Sequence, residues 1–198
     1  MQLAVFASGS GSNFKAILDA VAGGHLPANI RLLVCNKPGI GAIAHAEAAG
    51  IPVAVLNPAA FTDQAAYVTA LLATLHEQNV DFIALAGYLK KIPLPVVQAF
   101  RGRMVNIHPA LLPKFGGPGM YGLHVHHAVL ASGETVSGAT VHLVEDDYDT
   151  GAIVLQREVP VLSGDTPEAL AARVLAVEHQ LYPEALRLLA TRHQQESS

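Results

Sequence analysis

The sequence predicts an α/β fold: a doubly wound, mostly parallel sheet with flanking helices and one antiparallel strand connection in the second half. Three observations predict it. Short apolar runs alternate with amphipathic stretches through the first half, the pattern of parallel strands joined by crossover helices. A glycine- and serine-rich turn, Ser8-Gly9-Ser10-Gly11-Ser12-Asn13, separates the first apolar run from the first helical stretch. In the second half, two valine-rich runs flank an acidic loop short enough for an antiparallel connection.

Taken in order, Leu3 to Ala7 is the first strand and Asn13 to Ala22 its helix. Ile30 to Cys35 is the second strand, followed by a helix over Ala42 to Ala49 that Gly50 stops, and by a third strand at Pro52 to Leu56. A helix from Asp63 to Gln78 opens on an acidic residue. Phe82 to Ala86 and Met104 to Ile107 are the fourth and fifth strands, and Pro93-Leu94-Pro95 starts a short helix between them. Val136 to Val144, which alternates, and Ile153 to Val161 are the last two strands. Thr166 to about Ala190 is a long helix, and Gln194 to Ser198 is expected to fray. The chain reads as one domain over 1–198, with a phosphate-binding half (1–105) and a catalytic half with the last helix (106–198).

Composition narrows the function. Hydrophobic residues make up 51% of the chain and charged ones 14%, against an average of roughly 25% charged. A net charge of -4 gives no footprint for nucleic acid or an acidic membrane, although Lys90, Lys91, Arg101 and Arg103 form a small basic patch suited to one small anion. No apolar run approaches the roughly 20 residues of a membrane-spanning helix, and no basic leader precedes the first strand. The single cysteine, Cys35, lies in an apolar run and cannot form an internal disulfide, which fits a reducing cytoplasm. The neutral surface suits a monomer or a homodimer.

Three motifs carry chemistry. In the Ser8–Asn13 turn, glycines let the backbone approach an anion while the first free amides of the helix point at it, so a monophosphate site is expected. The spacing excludes a dinucleotide fingerprint, whose third glycine would fall at Phe14, and a Walker A loop, whose lysine and hydroxyl are absent. The same residues also suit a plain turn with Ser12 as helix cap. In Asn106-Ile107-His108-Pro109, strand alternation sends Asn106 and His108 to one side and Ile107 into the hydrophobic layer. A carboxamide and an imidazolium placed together can stabilise an oxyanion, although the four residues also suit a strand terminus with a side-chain-bonded turn. In Glu145-Asp146-Asp147-Tyr148-Asp149-Thr150-Gly151 most acids belong to a solvated turn. Asp149, close to a glycine, can turn inward to orient His108 and keep it charged to higher pH than an isolated histidine.

Together with Leu85-Ala86-Gly87-Tyr88, Asn106 to Pro113 and Gly138-Ala139-Thr140-Val141-His142, these motifs resemble the folate-dependent formyltransferases over nearly the whole chain, and the Gly/Ser/Asn loop points to the glycinamide ribotide branch. The resemblance implies a Rossmann-like fold and transfer of the formyl group of 10-formyltetrahydrofolate, a co-substrate, to the amine of glycinamide ribotide in purine biosynthesis, without a metal. It implies that Gly11, Ser12 and Asn13 hold the ribotide phosphate and that Glu178 contacts the sugar or glycinamide end. Asn106, His108 and Asp149 become the catalytic trio. The folate would lie against Tyr88, Leu89, Lys90, Lys91, Ile92 and Asn106 on one side and the backbone of Val144, Glu145, Asp146, Asp147 and Tyr148 on the other. Gln64 stands near the folate tail where certain members have arginine, and Leu175 where certain members have a substrate-contacting glutamine. The glycines of Phe115 to Gly122 suggest a flexible flap.

Other readings use the same residues differently. A formyltetrahydrofolate hydrolase would employ the trio with water as acceptor but typically adds an amino-terminal regulatory domain, and a transferase acting on methionyl-tRNA adds a tRNA-binding domain. A non-catalytic folate or nucleotide module is the alternative outside enzymes. A metal centre of His108, His124, His126, His127 and His142 lacks a cysteine or carboxylate partner at ligand spacing. His124 to His127 are instead expected at a loop end and helix start, and His142 as a strand residue satisfied by hydrogen bonds.

Overall fold

The computed structural model describes residues 1–196. Its strands, in chain order, are β1 (Gln2–Ala7), β2 (Asn29–Cys35), β3 (Val53–Val55), β4 (Phe82–Leu85), β5 (Met104–His108), β6 (Val136–Leu143) and β7 (Ile153–Pro160). The helices are α1 (Ser12–Ala22), α2 (Gly41–Ala48), α3 (Gln64–Glu77), α4 (Leu94–Ala99), α5 (Leu123–Ser132) and α6 (Pro167–Glu196), with a 3-10 turn at Pro58–Ala60. All seven strands join one sheet in the order β3-β2-β1-β4-β5-β6-β7. Pairings are parallel from β3 through β5 and antiparallel between β5, β6 and β7. The winding reverses between β1 and β4, and the loops after those strands open a crevice at that point, where open α/β sheets bind their ligands.

Helices cover both faces because the strands carry apolar residues on both. Leu3, Val5 and Ala7 of β1 pack with Phe14 and Ile17 of α1 and with Leu170, Val174, Leu181 and Leu186 of α6. Ala4 and Phe6 point the other way, to Tyr67, Leu71 and Leu75 of α3 and Val96 and Val97 of α4. Phe14, Ile17, Leu71 and Leu181 are inaccessible to solvent, and each such burial contributes about 1.5–3 kcal/mol. Tyr182, fully buried on α6, donates toward the carbonyls of Leu85 (3.0 Å) and Val105 (3.2 Å), so the long helix is pinned to the ends of β4 and β5.

Element ends follow local chemistry. The Asp63 carboxylate accepts from the amide of Ala66 (2.8 Å) and caps α3. Gly11 (φ 79°) precedes α1 without a side-chain cap, so Ser12 is the first helical residue and not its cap. Four differences from the expected pattern stand out. The 3-10 turn at Pro58–Ala60 and the full extent of α5 were not anticipated. β6 alternates in sequence yet is buried on both faces from Ser137 to His142; of its polar members, Thr140 bonds the chain after β5 and Gln156 of β7, and His142 meets Asn106 and the Leu143 carbonyl. The last helix continues through Pro183 to Glu196, so Gln194 to Glu196 are helical where fraying was expected; Ser197 and Ser198 lie outside the described residues.

Candidate active site

The loop after β1 and the loop after β4 are tied together at the winding reversal. The Ser8 amide donates to the Gly87 carbonyl (3.2 Å), and the Ser8 hydroxyl accepts from the amide of Leu89 (3.0 Å). The first bond inside α1 runs from the Lys15 amide to Gly11 (2.8 Å), leaving the amides of Ser12, Asn13 and Phe14 without intrahelical acceptors, as at any helix start. A Cβ on Gly11 would lie 2.6 Å from the Cα of Ala42, so this glycine serves the approach of α2 as well as the left-handed turn. Asn13 is buried and donates from Nδ2 to Glu178 Oε2 on α6 (2.6 Å). Burial pushes the Glu178 carboxyl up, against the pull of the Asn13 bond.

Beyond this pair a cavity of about 520 Å³ runs over the ends of β4 and β5. Asn13 and Glu178 line one part of it, and Asn106, His108 and Asp149 another. A smaller space of about 100 Å³ is bordered by Tyr88, Lys90, Lys91 and Ile92 on one side and by Val144 to Asp149 on the other. Both spaces share Tyr88, Lys90, Asn106, Tyr148 and Asp149. Leu89 lines the larger one only. Gly11, Ser12 and Gln64 line neither; Gln64 is the exposed first residue of α3.

Asp149 reaches the site because it adopts a left-handed backbone (φ 55°), uncommon for a residue other than glycine but one aspartate tolerates. Its Oδ2 accepts from the amide of Gly117 (2.8 Å) and lies 3.7 Å from His108 Nδ1, while its Oδ1 lies 3.3 Å from His142 Nε2. Burial alone would raise this carboxyl, but its contacts with His142 and with the Gly117 amide and the adjoining imidazoles outweigh it, and it is held below the ordinary aspartate range.

His108 departs from the sequence expectation. Its imidazole is held below the usual histidine pKa and not above it, because burial disfavours the charged ring by more than Asp149 and the Phe115 carbonyl favour it, and His142 opposes it further. Its Nε2 lies 2.8 Å from the Phe115 carbonyl, an acceptor only, so that nitrogen carries a hydrogen and Nδ1 is the one turned toward Asp149.

The flap is built onto this pair. Phe115 is itself left-handed (φ 57°), and Gly117 to Gly122 line the larger cavity, so the segment touches His108 through Phe115 and Asp149 through Gly117. Thr140 fixes the chain leading into it, donating to the Ala110 carbonyl (2.6 Å) and accepting from the Leu112 amide (3.1 Å). On the opposite wall, Arg101 forks onto Glu145 (2.7 Å) and Asp146 (2.8 Å), and Lys91 sits 5.1 Å from the ring centre of Tyr148. Arg103 donates to the carbonyls of Asp81 and Ala99. The expected basic patch is therefore reduced at Arg101, whose charge is met by two carboxylates.

Two residues at the site were not assigned a role from sequence. His142 does satisfy its hydrogen bonds within the sheet, and in addition it touches Asn106 and Asp149 and borders the smaller cavity. The signal was available only through strand pairing, which sets Asn106 opposite His142 and His108 opposite Thr140. His126 of α5 is buried on the wall of the larger cavity; burial first, then the proximity of His108 and His127, keeps its ring below the usual value. Among the described residues, no group of three or more His, Cys, Asp or Glu side chains converges as metal ligands.

The family model for formyl transferase matches residues 1–186. The chain is similar to the chloroplastic phosphoribosylglycinamide formyltransferase of Vigna unguiculata, with 50% identity over 188 residues that cover 95% of this chain and 60% of that protein. It thus spans less than two thirds of the plant relative. Phosphoribosylglycinamide formyltransferase of Bacillus subtilis (strain 168) is 38% identical over 188 residues, covering 95% of this chain and 94% of that one. A solved structure of glycinamide ribonucleotide transformylase 1 from Symbiobacterium toebii matches with a TM-score of 0.90 at 40% identity, over 96% of this chain and 88% of that one.

Proposed function

Because the chain belongs to the formyl transferase family, we propose that it transfers the formyl group of 10-formyltetrahydrofolate to the amine of 5'-phosphoribosylglycinamide in purine biosynthesis, yielding formylglycinamide ribotide and tetrahydrofolate. The observation that carries this reading is the pair of spaces meeting at Asn106 and Asp149. One suits an acceptor that meets Asn13 and has Glu178 on its sugar or glycinamide end, its phosphate reaching past the cavity to the amides opening α1 near Gly11 and Ser12. The other suits the pterin, between Tyr88 to Ile92 and the Val144–Tyr148 segment. Gln64 would meet only the far end of the folate tail. In this division of labour residues 1–105 bind phosphate and 106–198 carry catalysis and folate.

The amine nitrogen attacks the formyl carbon, a C–N bond forms, and the formyl oxygen takes up negative charge. Asn106 donates to that oxygen. His108 can donate from Nδ1 only when charged, since its Nε2 hydrogen is committed to Phe115. A developing oxyanion beside Asp149 raises its proton affinity, so the ring takes the proton leaving the amine and stabilises the intermediate. The bond from the formyl carbon to the folate nitrogen then breaks, and the proton passes to that nitrogen. Asp149 orients the ring, and holding both substrates together lowers the entropic barrier.

The plant relatives are designated chloroplastic, so a cytoplasmic location for this chain is part of the proposal. Among the described residues no helix is long and apolar enough to cross a membrane. The test is incubation with 10-formyltetrahydrofolate with and without the ribotide. Tetrahydrofolate formed only with ribotide is expected; equal product without it would mean hydrolysis.

A further inference from the structure

β5 and β6 pair antiparallel in a register that sets Asn106 opposite His142, so both side chains leave the sheet on the same face. The two nitrogens of the buried His142 ring have unequal surroundings. Nδ1 lies 2.9 Å from the Leu143 carbonyl, which only accepts, so Nδ1 carries a hydrogen. Nε2 has two neighbours, Asn106 Nδ2 at 3.2 Å and Asp149 Oδ1 at 3.3 Å. Their demands are opposite. A carboxamide nitrogen needs a lone pair facing it, whereas a carboxylate needs a hydrogen, and one ring nitrogen can meet only one of them in full.

Asp149 has another donor, the Gly117 amide at 2.8 Å, so its Oδ1 can lie beside His142 Nε2 without receiving a hydrogen from it. For Asn106 the ring of His142 is the side-chain contact that fixes the carboxamide. We propose that His142 is a positioning residue: as the neutral Nδ1–H tautomer it accepts one N–H of Asn106, locks the carboxamide plane, and leaves the second N–H for the oxyanion in the cavity that Asn106 lines. The inference rests on the formyl-transfer reading above. Aligned donors matter because a carboxamide free to turn over would present its oxygen to a developing negative charge. Charging the ring would place an N–H against the carboxamide N–H groups and force that turn, so the site uses His142 neutral and reserves the mobile proton for His108.

Two measurements on the full chain test this. The first is ¹⁵N NMR of histidine-labelled protein without ligands at pH 7, with the His142 signals assigned by their loss in His142→Gln. A protonated Nδ1 and a bare Nε2 are expected, and a doubly protonated ring or the opposite tautomer would overturn the proposal. The second is a kinetic cycle. His142→Phe should lower kcat by about 10²-fold, the size of a lost oxyanion donor, with both KM values nearly unchanged. His142→Gln, whose amide oxygen can stand where Nε2 stood, should recover most of that loss, and Asn106→Ala combined with His142→Phe should lose no more than Asn106→Ala alone. Additive losses, or a His142→Phe enzyme with normal kcat, would overturn it. If the Phe variant does not fold, the same cycle is run with His142→Leu, and a folded protein with independent effects would be equally decisive. The tautomer is read without turnover, so a chain that transfers no formyl group would sink the functional reading and leave the His142 geometry separately measurable.

Discussion

His108 turns Nδ1 toward Asp149 Oδ2 at 3.7 Å and spends Nε2 on the carbonyl of Phe115 at 2.8 Å, so the Phe115 bond orients the ring while burial keeps it neutral at rest, and Asp149 faces the nitrogen that gains the proton. Asp149 opposes that burial without overcoming it. Removing its charge in Asp149→Asn should move the His108 titration still lower, and with it the acidic limb of the kcat profile, where protonation stops the ring from accepting the amine proton. The sign for stability follows from the lowered pKa. As pH falls from the unfolded value near 6.5, the unfolded chain binds the proton first, so the contribution present above that pH is lost on acidification. NMR titration of both proteins checks the order, and an unmoved His108 midpoint in the variant would reduce Asp149 to a turn residue.

Glu178 makes the reverse case. Its folded pKa lies above the ordinary 4.5, so in the window between the two values the unfolded chain has already released a proton the folded one keeps. Stability is therefore full below the unfolded value and falls as pH rises through the folded one. Glu178→Gln keeps an acceptor for Asn13 and should flatten that fall, leaving melting temperature at pH 8 equal or higher, while the ribotide KM rises with little change in the folate KM. Thermal melts at pH 4 and pH 8 with paired KM measurements decide it.

Loss of either proposed oxyanion donor should be costly to turnover alone. Asn106→Ala and His108→Ala are each expected to lose about 10²- to 10³-fold in kcat while still binding ribotide. Calorimetric titration alongside steady-state rates would expose a residue whose removal leaves turnover near normal.

Gly151 offers a test through the backbone. A Cβ there would fall 1.8 Å from the Leu143 carbonyl oxygen, the acceptor that holds His142 Nδ1. Gly151→Ala should therefore lower stability by about 1–3 kcal/mol, the usual range for overpacking, and depress kcat through the displaced ring. Denaturant unfolding with kinetics at the same temperature measures both; an unaffected protein would show that the β6–β7 loop yields freely.

The proposed steps use only protein donors and the two substrates. Activity is expected to survive exhaustive dialysis against a strong chelator. Loss that zinc restores would redirect attention to the histidines.

Much of the framework was legible because periodicity and punctuation act locally. Strands β1, β2, β4 and β5 fall within a residue or so of the runs that predicted them, and Asp63 announced the start of α3. The closeness of Asn106, His108 and Asp149 was also foreseeable, from alternation on β5 and a carboxylate near a glycine. What escaped depends on packing. His142 joins the site through a pairing partner 36 residues away, which no local pattern records. The direction of the His108 shift needed the depth of burial, and spacing carries no depth. α5 opens on Leu123-His124-Val125-His126-His127, a run with too little polar contrast to announce a helical face.

The packing of α1 against α6, with Asn13 bonded to Glu178 across 165 residues, has a kinetic meaning. Closing so long a loop is entropically slow compared with forming the hairpin of β6 and β7 or the neighbouring parallel units. During synthesis α1 leaves the ribosome well before its partner exists, and the apolar side of Phe14 and Ile17 must wait, covered only in part by α2. The acceptor wall is thus completed last, and variants that weaken the α1–α6 contact are expected to show their defect first as slow recovery of ribotide binding on refolding, after the sheet has formed.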